Sequence, residues 1–125
     1  MTQTDHDTAQ VVQTYYDILT GGIATYDPAR LAAILAAELV FEGPIAGHVV
    51  GAEPFSKGVS GFIETVRSLD IVHQLCDGDM AATLYDAEMP GGTVRFAEFF
   101  HVEDGRIQSL RLLYDAAEYR ARGGR

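Results

Sequence analysis

Apolar positions in the first half of the chain repeat with the period of a helix, and those in the second half with the period of a strand. Val11, Val12, Tyr15, Ile18 and Leu19 share one face of a helical stretch from Thr8 to Leu19, and Gly21-Gly22 follow where a helix ordinarily stops. A second helix is predicted in YDPARLAAILAAEL: Asp27 is placed to cap it, Pro28 takes the first helical position, and Leu31, Ile34 and Leu35 fall on one face. ELVFEGPIAG then reads as a short strand carrying Glu42 and breaking at Gly43-Pro44. In GAEPFSKGVSGFIETVRSL, a third helix, Phe55, Val59, Phe62, Ile63 and Val66 form the apolar stripe. Gly58 and Gly61 inside it each cost about 1 kcal/mol against alanine, which predicts close packing onto them.

Beyond Leu69 the period falls to two, and DGD at 77–79, PGG at 90–92 and EDG at 103–105 have the composition of hairpin turns. Four antiparallel strands in a meander are predicted. Helices first and strands after define an α+β domain: a cone-shaped, curved, mostly antiparallel sheet with three helices on one face. We expect residues 1–118 to form this single domain and 119–125 to be a frayed polar tail.

Composition narrows the function. A length of 125 residues suits one core, and 47% hydrophobic against 22% charged residues suits an ordered globular chain. The net charge of −9 repels phosphate backbones and anionic membranes, so neither nucleic acid nor a membrane is an expected partner. Cys76 is the single cysteine, so an internal disulfide or thiolate cage is ruled out, which suits the cytoplasm. The first ten residues are polar and acidic, and no apolar run approaches the roughly 20 residues that span a bilayer.

Candidate chemistry sits on the strands. In TVRFAEFFHVEDG, one face reads Val94, Phe96, Glu98, Phe100, Val102, so Glu98 is the lone polar residue on an apolar face. A bare carboxylate there would cost several kcal/mol, so the group must be protonated, hydrogen-bonded or open to a cavity. In MAATLYDAEM, Asp86 shares a face with Met80, Ala82 and Leu84, and reaches the pocket mouth if that face points inward; Thr83 and Tyr85 on the other face would also serve as inner residues. His73 alternates with Ile71 and Leu75 as a half-buried histidine would. No two histidines have ligand spacing, the helical glycines are no phosphate cradle, and no serine or cysteine sits in a nucleophile setting. No metal or cofactor is expected. Ala97, Phe99, Arg111 and Leu113 mix apolar and charged groups on the outward sheet face, which points to a homodimer surface.

The strings AQVVQTYYDILTGG and RFAEFFHVEDGRIQSLRLLYD, with the element order, resemble the ketosteroid isomerase and SnoaL-like polyketide cyclase branch of the nuclear-transport-factor-2-like superfamily over nearly the whole chain. The resemblance implies that Tyr15 and Glu98 donate hydrogen bonds to a substrate oxyanion. It puts Gly43, in LVFEGPIAG, where that branch carries its general-base aspartate. A partial likeness to limonene-epoxide-hydrolase-like members gives Asp86 a proton-transfer role, with Leu84 and Leu112 at the places of the companion arginine and second aspartate. The expected function is an acid–base enzyme of isomerase, cyclase or epoxide-opening type on a small, mainly apolar cyclic metabolite. Its catalytic groups would be Tyr15, Glu98 and Asp86. Phe41, Phe62, His73 and Leu84, with Phe96, Phe100, Leu110 and Tyr114, would contact the substrate. Two other readings stay open: a non-catalytic ligand-binding domain that has lost its base at Gly43, and a dimerisation scaffold filled by its own side chains.

Overall fold

A computed structural model describes residues 3–124. Three helices, α1 (Gln3–Thr20), α2 (Pro28–Ala32) and α3 (Ala52–Thr65), pack on the inner face of one curved sheet, and α4 (Ala116–Ala121) follows it. The strands are β1 (Leu35–Gly43), β2 (Gly47–Val50), β3 (Ser68–Asp77), β4 (Met80–Met89), β5 (Gly92–Glu103) and β6 (Arg106–Leu113), in the order β2-β1-β6-β5-β4-β3. Only β1 and β6 run parallel; the β3 to β6 meander is antiparallel and turns where the sequence predicts. Register shifts in the β1–β6, β3–β4 and β5–β6 pairs bend the sheet, as bulges do.

The core lies between α1, α3 and the inner sheet face. Val12, Leu31, Leu39, Met89, Phe100 and Ile107 are all fully enclosed in it. Strand β5 alternates most cleanly, burying Val94, Phe96, Glu98, Phe100 and Val102 while turning Arg95 and Phe99 outward.

Four expectations change. The second helix stops at Ala32, because the chain instead pairs with β6: the Ile107 amide donates to the Ile34 carbonyl at 2.7 Å and Leu35 opens β1. Leu31, Leu35 and Leu39 are buried at a helix-like spacing, but a strand carries the last two. The stretch after Gly43-Pro44 forms β2, a four-residue edge strand paired to β1, with Gly47 at φ +72° closing the hairpin. The segment expected to fray, 119–125, begins with the second half of α4, which is capped by the Asp115 carboxylate accepting from the Glu118 amide, and Tyr119 is buried against Phe96 and Tyr114. Finally, nothing lies within 4 Å of a Cβ built at Gly58 or Gly61, so neither glycine marks a tight helix contact.

Candidate active site

Glu98 projects from the inner face of β5 and is 2% exposed. On α1, Tyr15 and Tyr16 are consecutive, about 100° apart around the helix axis, and both are buried over the sheet. The Tyr16 phenol donates to Glu98 Oε1 at 2.6 Å. Tyr15, from the same helix, and Tyr85, from the inner face of the neighbouring β4, also act on this carboxyl and favour its ionised form. Edge-on ring contacts fix the group: Tyr16 meets Tyr15 at 5.3 Å and Tyr85 at 5.8 Å between centroids.

The electrostatics follow from burial opposed by phenols. Loss of water pushes the Glu98 pKa up, the phenols of Tyr16, Tyr15 and Tyr85 pull it partly back, and the balance stands at about 7. Burial, then the adjacent Glu98 charge, holds all three phenols well above their ordinary 10, so they remain protonated donors. Thr83, which pulls the Tyr16 pKa partly back, receives the Gln74 amide at 3.3 Å, so polar groups continue toward edge strand β3.

Tyr15, Tyr85 and Glu98 form part of the wall of a cavity of about 190 Å³. Phe41, Phe55, Phe62, Tyr114 and Tyr119 add aromatic walls, while Ala46, Pro54 and Gly58, all exposed, stand at its rim. Among the described residues lining it, Glu98 is the one with a charged side chain. Position 43 offers no carboxylate, and a Cβ built on Gly43 would meet the Phe41 ring at 3.0 Å, so that ring would have to give way to a larger residue there. Glu42 lies on the opposite strand face, its Oε2 2.9 Å from Arg111 Nε.

Placement of the remaining sequence candidates divides cleanly. Phe41, Phe62 and Tyr114 line the cavity. Phe96, Phe100 and Leu110 are buried beneath it as core, with Phe96 stacked on Tyr85 at 5.0 Å. Asp86 and Leu84 are on the outer face of β4, since it is Ala81, Thr83, Tyr85, Ala87 and Met89 that are buried. Asp86 is bound there by Arg95, Nε to Oδ1 at 2.8 Å and Nη2 to Oδ2 at 3.0 Å, and that partner lowers its pKa. His73 is exposed on edge strand β3, where pairing with β4 resumes after the register shift. None of these three residues reaches the cavity.

Sequence reasoning missed Tyr85, Phe55 and Tyr119 as wall residues and Tyr16 as the closest partner of Glu98. The signal for Tyr85 was its alternation with Thr83 and Ala87, an inner face as acceptable as the one carrying Asp86. Away from the cavity, His101 Nε2 lies 3.1 Å from Asp79 Oδ2 and 3.2 Å from Glu103 Oε1, and these three are the group of described residues with side chains close enough to share a metal ion. The histidine-spacing argument overlooked them because one histidine and two acids supply the set.

A curved α+β sheet, helices on its inner face and a polar group at the base of an apolar cavity define the nuclear-transport-factor-2-like class of domain. Within it, the chain belongs to the SnoaL-like domain family, whose model matches residues 12–110. No curated protein matches it in sequence. Among solved structures, a protein from Kribbella flavida DSM 17836 is 25% identical with a TM-score of 0.78, covering 90% of this chain and 89% of its own. A proposed SnoaL-like polyketide cyclase from Jannaschia sp. CCS1 superposes with a TM-score of 0.81 at 12% identity, over 98% of this chain and 94% of its own. A steroid delta-isomerase from Pseudomonas aeruginosa gives 0.76 at 20% identity, over 94% and 86%. The latter two likenesses are of fold. No helix among the described residues is long and apolar enough to cross a membrane.

Proposed function

We propose that the protein is a small-molecule acid–base enzyme of the isomerase or cyclase type, acting on a mainly apolar cyclic carbonyl compound through one buried carboxyl, Glu98. A single observation carries this reading: the one charged side chain in an aromatic cavity is a carboxyl with a pKa of about 7, held among three phenols. Proton transfer is most effective when the catalytic pKa lies near the working pH, because both protonation states are then populated. Ionised Glu98 takes a proton from the carbon beside the carbonyl, the C–H electron pair moves into the ring, and negative charge develops on oxygen. The Tyr15 phenol, on the cavity wall, donates to that oxygen. Protonated Glu98 then returns the proton at another carbon, which completes an isomerisation, or the carbanion adds to a second carbonyl carbon of the same molecule, whose C=O electron pair moves onto its oxygen and takes the proton from Glu98, which completes an aldol-type cyclisation. Dry aromatic walls strengthen both steps. With Asp86 on the outer face and glycine at position 43, no second carboxylate shares the work. The neighbouring steroid isomerase fold supports the isomerase branch.

The test is proton exchange in heavy water. Cyclic enones incubated with the protein should exchange the hydrogens next to the carbonyl, and Glu98→Gln should abolish the exchange. A compound that binds tightly but is recovered unexchanged would make the domain a binding module instead.

A homodimer in the cytoplasm belongs to the same proposal. Leu75, Phe99 and Leu113 are 70%, 43% and 52% exposed along the outer sheet, apolar area suited to a second copy. Sedimentation of the Phe99→Lys variant should shift toward monomer; an unchanged mass for a wild type that is already monomeric contradicts the dimer.

A further inference from the structure

Two residues of the cavity wall bear on its size. The Phe41 ring packs against Phe55 at 5.2 Å and lies 3.0 Å from where a Cβ on Gly43 would stand. Gly58 leaves the rim of α3 bare, with open space where a side chain would stand. The cavity they help to line holds about 190 Å³. An apolar protein cavity of about 150 Å³ accepts benzene, whereas sites for drug-sized ligands run from about 300 Å³ upward. One six-membered ring with a few substituent atoms therefore fills the space, and a fused four-ring skeleton would have to leave most of itself outside.

Polarity restricts the ligand as sharply as volume does. The wall carries no cationic side chain among the described residues, so an acid or phosphate would enter without a counter-charge and face Glu98. The donors at the base are phenols and a protonatable carboxyl, which pair with a neutral oxygen acceptor.

We propose that the cavity selects a single-ring ligand that carries no negative charge, with one carbonyl or hydroxyl oxygen at its buried end, and that Phe41 and Gly58 are the residues that set this size limit. The inference rests on the acid–base reading of Glu98 for the orientation of the oxygen; the size limit rests on the walls alone. It differs from what the fold alone would suggest, since the same fold is found in a steroid delta-isomerase.

The experiment is a binding ladder on the full chain, by calorimetry and thermal shift, with cyclohexenone, tetralone, a four-ring steroid ketone, cyclohexanecarboxylate and cyclohexylamine. Wild type should bind cyclohexenone and show no shift with the steroid or the carboxylate, while cyclohexylamine reports whether ionised Glu98 also accepts a cation. Phe41→Ala should gain about tenfold in affinity for tetralone over cyclohexenone, and Gly58→Leu should weaken cyclohexenone by a similar factor. Phe41→Leu repeats the first test should the alanine variant not fold. Steroid or cyclohexanecarboxylate bound as tightly as cyclohexenone, no binding of cyclohexenone at millimolar concentration, or an unchanged ladder in the variants would each overturn the proposal. Glu98→Gln separates it from the catalytic reading. A bound steroid whose turnover that variant abolishes sinks the size limit and spares the catalytic role, whereas a bound single ring whose exchange it leaves untouched does the reverse.

Discussion

Tyr16 on the first helix donates to Glu98 on the fifth strand at 2.6 Å, joining positions 82 apart in the chain. Tyr16 itself is not among the described residues lining the cavity, while Tyr15, one residue earlier, stands on its wall. One helix thus supplies both a holder and a working donor to the same acid. The carboxyl is positioned by one phenol and left to meet a ligand beside the other.

Removing the acid tests the chemistry. Glu98→Gln keeps the shape and replaces the proton-transferring group with an amide. Steady-state kinetics on a turned-over cyclic enone should show kcat lower by about 10²–10⁴-fold. Asp86→Asn on the outer face should leave kcat unchanged.

Stability should depend on pH with the sign of a buried acid. Folding raises the Glu98 pKa from its ordinary 4.5 to about 7, so between those values the folded state binds more protons than the unfolded. Its contribution is fully present below 4.5 and is lost as pH rises through about 7. The loss is on the order of 3–4 kcal/mol at most, taking about 1.4 kcal/mol per unit. Urea unfolding at acidic and alkaline pH should show this decline in wild type, and Glu98→Gln should flatten that component.

The two tyrosines should separate. Tyr15→Phe removes the wall donor and should weaken binding of a ring ketone and lower kcat together. Tyr16→Phe takes away the closest donor to the ionised carboxyl, so the pH at which activity rises should move upward while ring-ketone binding at acidic pH is retained. Thr83→Val, one link further back, should move it in the same direction by less.

Gly58 offers a stability test of the opposite sign. Its Cβ would meet nothing within 4 Å, so Gly58→Ala should stabilise the helix by about 0.5–1 kcal/mol in urea titrations. A loss of stability would mean that α3 is packed more closely at this point than the structure shows.

The end of the chain is part of the site. Tyr119 lies edge-on to Phe96 at 5.9 Å and lines the cavity, so truncation after Glu118 should lower the urea midpoint and weaken ring-ketone binding. A truncated chain as stable as the whole would return these residues to the status of a tail.

Sequence alone was a good guide where one face of an element differs sharply from the other. Strand β5 shows this: Glu98 among Phe96 and Phe100 could only be inward and in need of partners, and Tyr15 lay on the apolar stripe of α1. Strand β4 was ambiguous because both of its faces mix apolar and polar residues, and the sign of Asp86 was decided by Arg95 across the β4–β5 pair, a contact no periodicity announces. The second helix was overcalled because Leu31, Leu35 and Leu39 keep helical spacing across a helix–strand junction, where long-range pairing with Ile107 overrides local preference. Strand β2 is short and half-exposed, and α4 is a single capped turn and a half, so neither carries enough periodicity to be seen. Tyr16 escaped notice beside Tyr15 because a pattern of apolar positions does not say which of two adjacent phenols meets a carboxylate.

The account turns on the protonation of one carboxyl, and NMR of glutamate carboxyl carbons across pH measures it directly, with Glu98→Gln assigning the resonance. A carboxyl titrating at about 7, shifted again when a ring ketone binds, is the expected result. A resonance for Glu98 that titrates at its ordinary 4.5 and ignores the ketone would contradict it.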